Sequence, residues 1–294
     1  DLHSFPTRRS SDLSMSVRAR INNLAKELGI APQHALQRYF TERFLARIAA
    51  SPYANNLVIK GGTLMSAIIG VAHRTTMDID ATIIGMKADE ATIERVVAEI
   101  AAIEVGDGIE FKAKPVGADE IRKDDDYGGY TVWLVASVGT IRLPIAIDVT
   151  FGDKITPRAK KRKFTQILDG SSHITVLAYT VETVVAEKLQ TVLSRGAANT
   201  RLRDFYDLHM LWARREFKAE ILAKAIRNTF ANRHSEEYWA NRLQIVESLK
   251  VSQQLVEQWQ RYCRKAPFAK DIAYAHVVES IKNLIDAATE RSNP

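Results

Sequence analysis

Between Leu57 and Ile84 the chain passes from an apolar triplet, Leu57-Val-Ile, through Lys60 into the glycine pair Gly61-Gly62 and Thr63. Apolar residues from Leu64 to Ile69 follow, and further on comes Asp78-Ile-Asp80. No other stretch limits the fold as tightly. The triplet predicts a short buried strand, and the glycines break it and hand it to a short helix over Leu64 to Ile69. A second strand begins at Asp78. Side chains alternate along a strand, so Asp78 and Asp80 point to one face while Ile79 points the other way, into a core.

Two carboxylates on one face repel each other, which makes them a poor structural device and a good seat for a hard divalent cation such as Mg²⁺. The glycine pair lets backbone N–H groups come close to a phosphate at a helix start, where the dipole also favours an anion. Together the two fragments read as a metal-plus-triphosphate site. It is not a P-loop, because no Gly-x-x-x-x-Gly-Lys is present. Either fragment alone is better read as a tight turn or an exposed strand start; the pair at this spacing is harder to dismiss.

The 294 residues, 46% of them hydrophobic, suffice for one large core or two ordinary ones. A single cysteine, Cys263, excludes an intrachain disulfide and a cysteine metal site, and fits a reducing cytoplasm. No apolar run reaches the length of a membrane span and no signal peptide is apparent, so a soluble, cytoplasmic protein without a membrane partner is expected. The net charge of +6 suits a polyanionic partner without requiring one.

Residues Asp1 to Ser14 show no helical or strand period and precede Met15; they read as a leader or sequence artefact outside the fold. From Ser16 the pattern is helical, with Val17, Ile21, Leu24 and Leu28 on one face and Gly29 as a stop. Pro32 opens a second helix with Leu36, Tyr39, Phe40, Phe44, Leu45 and Ile48 on one side. Ala88 to Ala102 reads as an amphipathic helix, and Ile109 to Lys112, Tyr130 to Val138 and Thr140 to Phe151 as strands, the last two joined at Gly139 in a tight hairpin. Asp148 interrupts the apolar alternation of the last strand. A carboxylate there is costly unless something positive neutralises it; alone it reads better as a strand-end acid facing water, but beside Asp78 and Asp80 in a mixed sheet it supplies the third acid of a two-metal phosphoryl or nucleotidyl transfer site.

Arg158, Lys160, Lys161, Arg162 and Lys163 form a basic run, which reads first as a solvated loop and second as a holder of a nucleic-acid backbone, with a short strand, Phe164 to Leu168, behind it. Ile174 to Ala178 is another short strand. Thr180 is spaced as the N-cap of a helix running to Ser194, on which Lys188 lies near the apolar stripe and is a candidate to face the site. Asp204 and Asp207, three apart, share a helical face; capping and ion pairing with Arg201 or Arg203 is an equal reading. From Phe205 to Arg291 the pattern is helical: Leu208 to Arg214, Ala219 to Phe230, Glu236 to Leu249, Gln254 to Arg264 and Ile272 to Ala288. A mixed α/β half and a helical half meet near Tyr179.

Lys60-Gly-Gly-Thr, then Arg74-Thr-Thr-Met-Asp-Ile-Asp80, then Ala186-Glu-Lys188-Leu, then Arg203-Asp204-Phe-Tyr-Asp207-Leu together resemble the AbiEii/AbiGii nucleotidyltransferase-like toxins of bacterial abortive-infection systems. The resemblance runs from Ser16 to about Leu211. It implies an α+β fold: a polymerase-beta-like nucleotidyltransferase core with a mixed sheet, N-terminal helices and a C-terminal helical domain, divided as 15–179 and 180–294. It also implies a toxin with a cognate antitoxin, binding of GTP or a pyrimidine nucleoside triphosphate and, for some members, nucleotide transfer to the 3′ end of tRNA. Gly62 and Thr63 would then hold the triphosphate, Asp78 and Asp80 the Mg²⁺, and Lys188 and Asp204 would be the lysine and aspartate of the later motifs.

The expected chemistry is attack of an acceptor hydroxyl on the α-phosphorus with loss of pyrophosphate, Asp148 orienting or deprotonating the acceptor. Lys60, Arg74 and Lys188 would offset the charge that develops on the leaving group. Gly61 belongs to the same nucleotide cradle, and Arg203 and Asp207 are secondary candidates. Attack at the γ-phosphorus, giving a kinase, and non-catalytic nucleotide or RNA binding are the alternatives.

Overall fold

A computed structural model describes residues 6–113, 119–120 and 128–289. The chain divides into two compact units. The first takes in the described residues up to Asp153 together with Lys160–Ala178; the second takes in Lys154–Ala159 and the described residues from Tyr179 onward.

The first unit opens with helices α1 (Pro6–Leu28) and α2 (Pro32–Ala50). Helix α1 starts ten residues before the expected Ser16 and takes in part of the segment read as a leader, with Ser14 buried. Asp1–Phe5 lie outside the described residues. Helix α2 was expected to be one-sided and is instead buried over most of its circumference, because it touches α1, strands of the sheet and the helix over Glu90–Ala101. Its charged residues are paired accordingly. Glu42, fully buried, takes the Arg38 guanidinium at 2.8 Å and the Ile167 N–H at 2.9 Å, and Arg47 grips Asp107 with two bonds of 2.9 Å.

The remaining elements are β1 (Leu57–Ile59), α3 (Gly61–Ile69), β2 (Asp78–Ile83), α4 (Glu90–Ala101), β3 (Glu110–Ala113), β4 (Asp119–Glu120), β5 (Gly129–Val138), β6 (Ile141–Thr150), β7 (Lys160–Thr165) and β8 (His173–Ala178). They build one mixed sheet in the order β3-β5-β6-β2-β1-β8-β7, with β4 beside β5 and helices on both sides. Strand β2 runs parallel to β6 and antiparallel to β1, and β5 and β6 form the expected hairpin at Gly139. One face is continuous core: Ile59, Ile79, Ala81, Leu134, Ile147 and Val149 are all buried. Alternate residues line the other face, among them Asp78, Asp80, Thr131, Asp148 and Thr150, and these are more open.

The basic run is not a loop. Lys160 to Lys163 form most of β7, paired antiparallel with β8 at the rim of the sheet. Lysine and arginine carry no preference for strand, so β8 imposes the conformation, and cations on an edge strand discourage pairing with a second sheet.

In the second unit, Thr180 caps α5 (Val181–Arg195), its hydroxyl accepting the Thr183 N–H. Helices α6 (Leu202–Arg214), α7 (Ala219–Asn232), α8 (Glu236–Ala240), α9 (Arg242–Val251), α10 (Gln253–Lys265) and α11 (Tyr274–Thr289) follow. Leu189, Phe205, Leu222, Ile226, Val277 and Ile281 are buried among them. The helix expected over Glu236 to Leu249 is two helices. Asn241 breaks it, its side chain returning to the Glu237 carbonyl, a competition with the helix ladder typical of asparagine. The expected helical tail as far as Arg291 passes beyond the described residues. Among the described residues no helix is long and apolar enough to cross a membrane.

Candidate active site

The parallel register of β2 and β6 brings the acids of the first unit together. Asp78 lies level with Ala146 and Asp80 level with Asp148, and residues level on neighbouring strands share a face. Asp78, Asp80 and Asp148 therefore occupy one patch of the more open face. On β5, Thr131 stands opposite Asp148 and donates its hydroxyl to the carboxylate at 2.7 Å.

The start of α3 closes on the same patch. Lys60 is the N-cap residue, and its N–H donates to the Asp80 carbonyl at 3.0 Å. The helix then begins at Gly61, three residues earlier than expected. Its first amides do not face outward toward a phosphate. The Gly62 N–H donates to Asp80 Oδ2 at 2.8 Å and the Thr63 N–H to the same oxygen at 3.4 Å, so a carboxylate from the neighbouring strand caps the helix. Thr63, expected to turn its hydroxyl to a triphosphate, is fully buried; that hydroxyl donates to the Asp78 carbonyl and accepts the Asp80 N–H, both at 3.1 Å, locking α3 to β2.

Glycine is needed at both positions of the pair. Gly61 has φ +50°, and a Cβ there would sit 2.6 Å from Asp80 Cγ; at Gly62 it would sit 2.6 Å from Thr76 Oγ1 and 3.3 Å from Arg74 Nη2. Gly61→Ala should therefore cost about 2 kcal/mol of stability, from the left-handed backbone and the displaced carboxylate. Chemical denaturation measures this, and an unchanged midpoint would contradict the close approach of Asp80.

Lys60 is held by Asp153, a residue that sequence reasoning missed. The ammonium lies 2.7 Å from the carboxylate and both are largely withdrawn from water. Burial alone would push the Asp153 carboxyl up, but Lys60, with hydrogen bonds from Thr150 and Thr82, outweighs it and holds the group below the usual carboxylate range. The signal was faint: Thr150 falls on the Asp148 side of β6, and Asp153 follows just past the strand end. Arg74 is buried, with its guanidinium against Gly62 and one N–H on the Thr75 carbonyl at 2.7 Å. It thus adds fixed positive charge where α3 begins.

Burial pushes the Asp148 carboxyl up to about 6, and the charges of Asp80 and Asp78 push the same way, against the Thr131 hydrogen bond and the Lys60 charge. Negative charge at this patch is therefore incompletely neutralised by the protein itself. All-oxygen carboxylate donors with surplus negative charge fit a hard divalent cation. Among the described residues, however, no three histidine, cysteine, aspartate or glutamate side chains already converge as a metal cage, and Asp80 is drawn toward the α3 amides.

The later-motif residues belong to the second unit and form an ion cluster there. Lys188 Nζ lies 2.6 Å from Asp204 and 2.8 Å from Asp207, and Arg201 adds a contact to Asp204 at 2.8 Å. Asp204 and Asp207 are buried, whereas Arg203 is exposed. The pairing foreseen with Arg201 is present, and Lys188 is the closer partner.

No curated protein matches the chain. Among solved structures, a candidate nucleotidyltransferase from H. pylori aligns at 14% identity with a TM-score of 0.47, covering 89% of this chain and 97% of that one. JHP933 from Helicobacter pylori aligns at 14% identity and TM-score 0.47, covering 87% and 92%. An antigenic nucleotidyltransferase-like protein from Paracoccidioides brasiliensis aligns at 12% identity and TM-score 0.34, covering 82% and 92%. The family assignment rests on sequence: the model of the nucleotidyl transferase AbiEii toxins, type IV toxin–antitoxin systems, matches residues 43–283, and the chain belongs to that family.

Proposed function

We propose that the protein is a Mg²⁺-dependent nucleotidyltransferase that moves a nucleotide from a nucleoside triphosphate to a hydroxyl of an RNA acceptor, with tRNA 3′ ends the leading candidate, and that a cognate antitoxin restrains it. The observation that carries this reading is the level pairing of Asp80 with Asp148 beside the α3 start, with Asp78 on the same face. Asp78, Asp80 and Asp148 would hold the cation, which when bound supplies charge neutralisation and polarisation of the phosphate oxygens.

The chain's own groups divide the remaining work. Asp148, held by the Thr131 hydroxyl and level with Asp80, would orient the attacking hydroxyl and take its proton. The acceptor oxygen bonds to the α-phosphorus as the bond to the bridging α–β oxygen breaks, and the electron pair leaves with pyrophosphate. Arg74 and Lys60, one buried against Gly62 and the other fixed by Asp153, supply preorganised positive charge for the leaving group.

Incubation of the purified protein with Mg²⁺, total RNA and each α-labelled nucleoside triphosphate should label an RNA band, and EDTA should abolish the label. Transfer from γ-labelled triphosphate would identify a kinase instead. Tight RNA binding with no label from either position would overturn the catalytic reading.

A further inference from the structure

The edge strand β7 presents Lys160, Lys161, Arg162 and Lys163 in succession, and no acidic residue lies between Lys160 and Leu168. Register decides where these cations point relative to the acidic patch. Ile59 is level with Ala81 on β2 and with Ala178 on β8, and Ala178 is level with Lys160 on β7. That row belongs to the core face, where Ile174, Val176 and Phe164 are also buried. The alternate row therefore shares the face of Asp78 and Asp80: Lys161 opposite Leu177, Lys163 opposite Thr175, and Thr165 opposite His173. Lys161, Lys163, Thr165, Thr175 and His173 are all exposed, and Lys161 and Lys163 make no ion pair among the described residues.

Asp148 lies on β6, four strand spacings from β7, about 19 Å, a span of about three nucleotides of extended single strand. Lys160 starts β7 level with Ala81, one residue along from Asp80, so the basic strip starts across β1 and β8 from the acidic patch and runs away from it. Val58 and Thr82, between the two, are buried, and a nucleic-acid strand joining the two passes over that row. Lys161 and Lys163 are about 6.7 Å apart along the strand, close to the spacing of successive phosphates in an extended single strand. Strand chemistry thus matches a polynucleotide backbone better than it matches a compact anion.

We propose that the outer face of the β7–β8 hairpin seats the sugar–phosphate backbone of the single-stranded acceptor RNA, so that its terminal hydroxyl reaches Asp148 while upstream phosphates lie over Lys161 and Lys163. This deepens the nucleotidyl-transfer reading and rests on it. The contacts are to phosphate and carry no sequence preference, so they supply affinity and direction while the choice of acceptor is made elsewhere.

The test compares the wild-type chain with K161A/K163A and K161E/K163E. Affinity for a fluorescent ten-nucleotide single-stranded RNA is read at several salt concentrations, and KM and kcat for transfer are read in parallel. Loss of two phosphate contacts should weaken binding about tenfold and flatten the salt dependence by about 1.4 in log–log slope. KM for RNA should rise while KM for the triphosphate and kcat at saturating RNA hold, and K161R/K163R should behave as wild type. Equal thermal midpoints show that the variants fold. Unchanged affinity and slope in K161E/K163E overturn the proposal, whether the variants aggregate, as pure edge protection implies, or not. Preferential binding of wild type to phosphatidylserine vesicles with no RNA affinity also overturns it. Asp78→Ala separates the two readings: it should abolish transfer and leave RNA binding unchanged. Lysine-dependent RNA binding without transfer by the wild type would support the surface and sink the catalytic reading.

Discussion

Asp80→Ala is expected to abolish nucleotide transfer and to destabilise the fold, whereas Asp78→Ala abolishes transfer alone. Both carboxylates lie on the patch assigned to the cation, and loss of a ligand that neutralises the reacting phosphates removes several kcal/mol of transition-state stabilisation, about a thousandfold in rate. Only Asp80 has a second task. Its Oδ2 takes the Gly62 and Thr63 N–H groups at the start of α3, and deleting such a cap costs about 1 to 2 kcal/mol. Asp78 is exposed, so its removal should change stability by less than about 0.5 kcal/mol. Asp80→Asn divides the two tasks, because an amide oxygen still accepts the Gly62 N–H while the charge is gone: the thermal midpoint should return most of the way toward wild type and activity should not. Transfer assays with α-labelled triphosphate, run beside thermal unfolding, read both effects. Substantial activity in Asp78→Ala or Asp80→Asn would remove these carboxylates from the reaction.

The two tasks of Asp80 mark where sequence reasoning stopped. Alternation over Asp78-Ile79-Asp80 and the break at Gly61-Gly62 are local signals, so the strand–helix–strand order and the shared face of the two acids were legible. Asp148 was legible as an interruption of an apolar strand. That it stands level with Asp80 depends on parallel pairing of β2 with β6 across a long intervening stretch of chain, which no local pattern encodes. The glycine pair was read as a place where backbone amides come close to a phosphate; in the structure it is the carboxylate of Asp80 that comes close to them. Lys60 needed a counterion, and its partner Asp153 sits beyond a strand end where alternation no longer applies. Strand β7 was hidden for a different reason: its residues have polar side chains, and only the hydrogen-bonding edge of β8 makes them a strand.

Asp148→Asn should stabilise the metal-free protein at neutral pH while lowering transfer by about a hundredfold or more, the usual worth of a positioned base. An ordinary aspartate titrates near 4, and in the fold burial and the nearby Asp80 and Asp78 raise Asp148 to about 6. Between those values the native protein binds more protons at this site than the unfolded chain, so the contribution of Asp148 to stability falls as pH rises from about 4 to about 6 and stays low above that. Solvent screening at this partly open patch reduces the nominal cost to about 1 to 2 kcal/mol. Asparagine keeps an acceptor for the Thr131 hydroxyl and carries no charge. Chemical denaturation in EDTA should therefore find the variant about 1 to 2 kcal/mol more stable than wild type at pH 7.5 and equal to it near pH 4. Comparing the two proteins at each pH cancels the titrating groups that do not interact with Asp148, leaving its own titration and its coupling to Asp80 and Asp78. Adding Mg²⁺ should raise the wild-type midpoint more at pH 7.5 than at pH 5, because protonation of Asp148 removes charge that the cation would otherwise neutralise, and it should raise the Asp148→Asn midpoint less. Equal stability of the two proteins at both pH values would mean that Asp148 carries no buried negative charge, and the acidic patch would then lack the strain that makes it a seat for a cation.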